Sequence, residues 1–228
     1  MYLFKKILQN FARHILGAGG KPSTWVTARG TRRVEFFVVF LIYVLCFNVK
    51  ISSFFCFFCH FKKNKVDKKR LIIRGGSAGG YTTLAALTFR NLFSAGASHY
   101  GIGDLISLSR DTHKFESCYL DTIIGKLPEN KNRYLERSPI NYADQLKCPV
   151  IFLQGDEDKV VPPNQAETMV NALKAHGVPV SYLSFEGEGH GFRKDTNIEK
   201  ALIAELSFYG RIFNFEPDKV LENLKIYN

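Results

Sequence analysis

A chain of 228 residues, 46% of them hydrophobic, is long enough for one large domain or a domain with an extension, and apolar enough to bury a core. Its net charge of +10 is unevenly spread: residues 1–70 hold 14 Lys and Arg against 2 Asp and Glu, and the remainder holds 17 against 19. The near-neutral remainder excludes nucleic-acid binding as its role, and the shift divides a basic, Phe-rich segment (1–68) from the main region (69–228).

The chain opens with Tyr2-Leu3-Phe4-Lys5-Lys6-Ile7-Leu8, whose apolar spacing suits one short amphipathic helix. Two readings stand, a targeting helix and a basic surface helix or tail. The glycines of 16–20 follow no convincing strand and are not read as a phosphate loop. Residues 36–47 form an uninterrupted apolar run, followed by a polar interruption and then Phe54-Phe55-Cys56-Phe57-Phe58-Cys59-His60. Twelve residues are too few to span a bilayer, which takes roughly 20, and extension to 34–58 brings Lys50 and several polar residues inside. Three readings compete: a poor membrane segment, a buried strand pair, or low-complexity sequence foreign to the fold. The Phe bias runs through the interruption and favours the third. Cys56-Phe57-Phe58-Cys59-His60 fits a haem-attachment pattern, but within a Phe-rich repeat a chance Cys pair is the better explanation. Cys46, Cys56, Cys59, Cys118 and Cys148 are odd in number and without a regular framework. Free thiols, and so a cytoplasmic location, are expected, with membrane association as the alternative.

From residue 71 the pattern changes. Leu71-Ile72-Ile73 reads as a buried strand, Gly75-Gly76-Ser77-Ala78-Gly79 as a sharp turn, and 81–89 as a helix. Further strands are expected over 93–100, 147–155 and 180–185, an amphipathic helix over 164–176 with Gly177 as its stop, and a closing helix over 198–213. Alternating strands and helices imply an α/β fold with a parallel central sheet.

Functional side chains in such sheets gather at the carboxyl ends of the strands, and three of these ends carry complementary chemistry. Gly75-Gly76-Ser77-Ala78-Gly79 fits the G-x-S-x-G nucleophile elbow of α/β-hydrolases. Asp156, Glu157 and Asp158 follow the strand at 147–155, and His190 lies in a Gly-flanked loop after the strand at 180–185. A neutral serine hydroxyl is a poor nucleophile, so it needs a base, and the imidazole needs a carboxylate to orient it and stabilise its cation. Ser77, Asp158 and His190 are the expected set, in the chain order of α/β-hydrolases. Asp158 is preferred to Asp156 for its place at the loop tip. His190 is preferred to His99, within a strand, and to His176, at a helix end.

Arg74-Gly75-Gly76-Ser77-Ala78-Gly79-Gly80-Tyr81, the run from Gln154 through Asp158 and Val161 to Gln165, and Phe185-Glu186-Gly187-Glu188-Gly189-His190-Gly191-Phe192 together resemble the catalytic domain of the prolyl oligopeptidase family, nearest its acylaminoacyl-peptidase and dipeptidyl-peptidase-like branch. The resemblance covers about 69–213. It implies an α/β-hydrolase fold and a serine peptidase acting on short peptides through an acyl-enzyme, with Ser77 as nucleophile, Asp158 as acid and His190 as base. The Asp-x-x-Val pattern of that family matches Asp158 with Val161, and the Ala78 amide would supply one oxyanion donor. The family's N-terminal propeller and the first half of its hydrolase domain, with an upstream His-Gly-Gly-like loop for the second donor, have no counterpart in 1–66, so the fold is expected to be N-terminally incomplete. An esterase with the same triad and a catalytically impaired relative remain alternatives. Tyr100, Asp104 and Val161, beside strand ends, are the candidate borders of a substrate pocket. A peptide substrate is the expected partner, and no cofactor or metal cluster is indicated.

Overall fold

The computed structural model describes residues 37–40, 67–111 and 119–228, the first of these as backbone only. Among the described residues five strands, β1 (Phe37–Phe40), β2 (Leu71–Gly76), β3 (Ala95–His99), β4 (Val150–Gly155) and β5 (Val180–Phe185), form one sheet in that spatial order, every neighbouring pair parallel. Helix α1 (Ala78–Phe89) follows β2, α5 (Asn164–Ala175) joins β4 to β5, and α6 (Asp195–Phe213) follows β5. Three short helices, α2 (Leu105–Asp111), α3 (Tyr119–Ile123) and α4 (Lys131–Arg137), lie between β3 and β4.

Strand side chains alternate between faces, and the two faces have separate cores. Ile73, Val150, Phe152 and Val180 pack with Leu84 and Leu87 of α1 and with Met169, Val170 and Leu173 of α5. Ile72, Ile151, Leu153 and Phe185 face the other way, onto Ala201, Ala204, Phe208 and Tyr209 of α6. Each buried Leu, Ile or Phe contributes about 1.5–3 kcal/mol. A third cluster, Ile102, Leu105, Leu108, Leu120, Ile124, Tyr134 and Val161, joins α2, α3 and α4 to the loop after β4. Gly96 of β3 sits close under α1: a Cβ there would lie 2.5 Å from Leu87 Cδ1 and 3.2 Å from the Ile73 carbonyl oxygen.

The tail after α6 returns to the sheet. Tyr227 exchanges two backbone hydrogen bonds with Val180, and Asn228 donates to the carbonyls of Lys174 and Val178. Strand β5 thus has an antiparallel bridge where it would otherwise present a bare edge.

The strand at Phe37–Phe40 falls inside the stretch weighed as a membrane segment, and it hydrogen-bonds along β2. The rest of 34–58, the Cys56/Cys59 pair and Cys118 lie outside the described residues. No helix among the described residues is long and apolar enough to cross a membrane.

Candidate active site

The site is built on the carboxyl ends of β2, β4 and β5, with β3 between the first two. At the end of β2 the chain reverses direction within one residue. Ser77 has φ 57 and ψ −122, a conformation that is strained for a non-glycine residue. The glycines beside it allow the close approach this needs. A Cβ on Gly75 would lie 2.3 Å from the Gly79 carbonyl oxygen, and one on Gly80 would lie 2.6 Å from Gly101 Cα. The Ser77 amide donates to the His99 carbonyl at 3.0 Å, fixing the turn to the end of β3. The Ala78 amide opens α1 and so has no i−4 acceptor within that helix.

His190 Nε2 lies 2.7 Å from Ser77 Oγ, and its Nδ1 lies 2.8 Å from Asp158 Oδ2. These contacts set the tautomer. With Nδ1–H donating to the carboxylate, Nε2 offers a lone pair to the serine hydroxyl. The Asp158 side chain is fully buried. Its Oδ1 accepts from the amides of Val160 and Val161, both at 2.9 Å, and Gln154 Nε2 stands 3.4 Å from Oδ2. A buried carboxylate with four donors around it is compensated for its loss of water.

The competing groups have other partners. Asp156 is exposed and accepts from the Gly187 amide at 2.8 Å, tying the loop after β4 to the loop after β5. His176 closes α5 as an exposed cap residue. His99 ends β3 and enters a buried cluster, with Nε2 3.0 Å from Glu205 Oε2 and 3.2 Å from Arg74 Nη2.

Of the candidate pocket borders, Tyr100 is in edge-to-face contact with the His190 ring, centroids 5.1 Å apart. Asp104 instead caps α2, its Oδ1 accepting from the amides of Ile106 and Ser107. The Val161 side chain is buried in the cluster under α2–α4, and its amide is spent on Asp158.

Sequence reasoning passed over Glu188, two residues before His190. Its buried carboxylate accepts from the amides of Arg193 and Lys194 and from Asn197 Nδ2, and its own carbonyl accepts from the Glu157 amide. Burial pushes this carboxyl up, but the Arg193 amide and the donors beside it outweigh burial and hold it below the usual carboxylate range. A glutamate in a Gly-rich loop just before a helix was the available signal.

The parallel sheet and its flanking helices are those of an α/β-hydrolase domain, and the comparisons place it among serine peptidases. The profile described as "Prolyl oligopeptidase family" matches residues 53–216, and the chain belongs to that family. It is 32% identical over 142 residues to dipeptidyl aminopeptidase BIII of Pseudoxanthomonas mexicana, covering 60% of this chain and 21% of that protein. It is 30% identical over 131 residues to the acylamino-acid-releasing enzyme of Mus musculus, covering 54% and 18%. Among solved structures, a puromycin-hydrolyzing peptidase of Mycobacterium tuberculosis superposes with TM-score 0.70 at 48% identity, over 74% of this chain and 26% of that one. The acylaminoacyl peptidase of Pyrococcus horikoshii gives 0.65 at 26%, over 73% and 28%. The chain thus spans about a fifth to a quarter of the length of these relatives.

Proposed function

We propose that the chain carries the nucleophile, base and acid of a serine peptidase that cleaves short peptides through an acyl-enzyme. The observation that supports this most is the continuous hydrogen-bonded line from Ser77 Oγ through His190 to the buried Asp158 carboxylate. In the first step His190 Nε2 takes the hydroxyl proton as Ser77 Oγ forms a bond to the scissile carbonyl carbon. The carbonyl electrons move to its oxygen, where the Ala78 amide donates. Asp158 stays ionised and stabilises the imidazolium. On collapse the C–N bond breaks, and His190 passes its proton to the leaving amine. A water then attacks the Ser77 ester with His190 as base, and the serine departs with its proton restored. The upstream loop expected to carry the second oxyanion donor has no counterpart in the sequence of 1–66.

Peptides are preferred as substrates because the named relatives are an aminopeptidase, an acylamino-acid-releasing enzyme and a peptidase that hydrolyses puromycin. Parallel assays of the full chain on a short peptide amide and on a simple aryl ester test this. Amide turnover is expected, falling about 10⁴-fold in Asp158→Asn as the wrong imidazole tautomer takes over. Turnover of the ester alone would replace the peptidase reading with an esterase.

A further inference from the structure

Beneath the elbow lies a cluster of buried charge for which the triad chemistry has no use. Arg74, three residues before Ser77 on β2, reaches across to Glu205 on α6, its Nε 2.8 Å from Oε1 and 3.1 Å from Oε2. Tyr209 Oη–H donates to Oε1 at 3.1 Å, and His99 Nε2 stands 3.0 Å from Oε2. The Arg74, Glu205 and His99 side chains are 17%, 7% and 10% exposed. His99 Nε2 faces both an acceptor, Glu205 Oε2, and a donor, Arg74 Nη2; with its proton on Nε2 it donates to the Glu205 carboxylate and accepts nothing from Arg74, whose Nε keeps its own bonds to Glu205. Removing charges this thoroughly from water is costly, and such a cluster is weak evidence of stabilisation in its own right.

Its position is more informative. The His99 carbonyl accepts the Ser77 amide, and Gly76 and His99 are register partners. The next residue, Tyr100, has φ 38, a conformation that persists only where its surroundings impose it. The Tyr100 ring meets His190, and the rings of His99, Tyr100 and Phe192 contact one another at 5.5–6.5 Å. His99 therefore touches the nucleophile through its backbone and the base through Tyr100, while its imidazole is fixed from behind.

We propose that His99, anchored by its Nε2–H bond to the Arg74-paired Glu205, is a positioning residue that sets the Ser77–His190 alignment. This rests on the triad reading above. A displacement near an ångström can cost up to about 10²-fold, so a partial relaxation is expected to cost about tenfold.

The test compares three variants of the full chain. His99→Phe keeps a ring against Tyr100 and Phe192 but has no N–H. His99→Gln keeps an N–H that reaches Glu205 without a ring. His99→Asn has an amide that stops short. Measured for each, per folded molecule, are kcat and KM on a peptide amide and the second-order rate at which a fluorophosphonate labels Ser77. His99→Phe and His99→Asn should lose about tenfold in kcat and in labelling rate at unchanged KM, and His99→Gln should stay near wild type. If His99→Phe does not fold, the Gln and Asn pair carries the same comparison. Wild-type rates in the Phe and Asn variants, or equal losses in all three, would overturn the proposal and leave the triad standing. A wild-type chain that takes no label at Ser77 would overturn both.

Discussion

Ser77 is held by what surrounds it. Its positive φ is tolerable because β2 and α1 meet through glycine, with Gly75 against the Gly79 backbone and Gly80 against Gly101. Gly75→Ala puts a methyl 2.3 Å from a backbone oxygen, which no side-chain rotation relieves. The start of α1 must move instead. Turnover should fall at least ~10²-fold while the fold survives a loss of about 1–3 kcal/mol, read by kinetics alongside thermal unfolding. Full activity in that variant would mean that the tight elbow is not needed. This part of the site was legible because the requirement is local: five consecutive residues must be small or nucleophilic. Asp158 was legible from its place at the loop tip and from Val161 three residues on. Arg74 and Glu205 were not, because 131 residues separate them and neither stands in a pattern that announces a partner.

Helix α6 does two jobs at the scale of elements. Phe208 and Ala204 cover one face of the sheet, and Glu205 faces the strand ends beside them. Burial pushes the Glu205 carboxyl up, but the charge of Arg74 with the hydrogen bonds from His99 and Arg74 outweighs burial and holds it at about 2. Burial lowers His99, and the charge of Arg74 adds to this against the opposing pull of Glu205. Both shifts act in one direction. Below the ordinary values of 6.5 for His99 and 4.5 for Glu205, the unfolded chain binds protons that the folded chain refuses. Stability is therefore full above about pH 6.5, declines as His99 protonates in the unfolded chain, and declines further between about 4.5 and 2. Unfolding temperature measured against pH should show this fall, and His99→Gln should remove the part just below 6.5 while keeping the part below 4.5. A wild-type profile flat from pH 7 to 4 would contradict the buried network. Strands β2, β4 and β5 and helices α5 and α6 were readable from their apolar patterns, because each buries an apolar set. Helices α2 and α4 have seven residues each and α3 five, too few for a period to emerge, and they formed no part of the expected fold.

Across the whole molecule, the sheet brings together side chains that lie 113 and 32 residues apart in sequence, Ser77 with His190 and His190 with Asp158. Parallel pairing does this: β2, β4 and β5 all point one way, so their carboxyl ends meet on one edge. The order of the three residues along the chain was enough to expect the meeting, though not the clamps behind it. The measurement that bears most directly on the central claim is labelling of the full chain with a fluorophosphonate, followed by intact mass and peptide mapping. One adduct on Ser77 is predicted, absent in Ser77→Ala and strongly slowed in His190→Ala. A wild-type chain that stays unmodified, or an adduct that persists in Ser77→Ala, would contradict the assignment of Ser77 as an activated nucleophile.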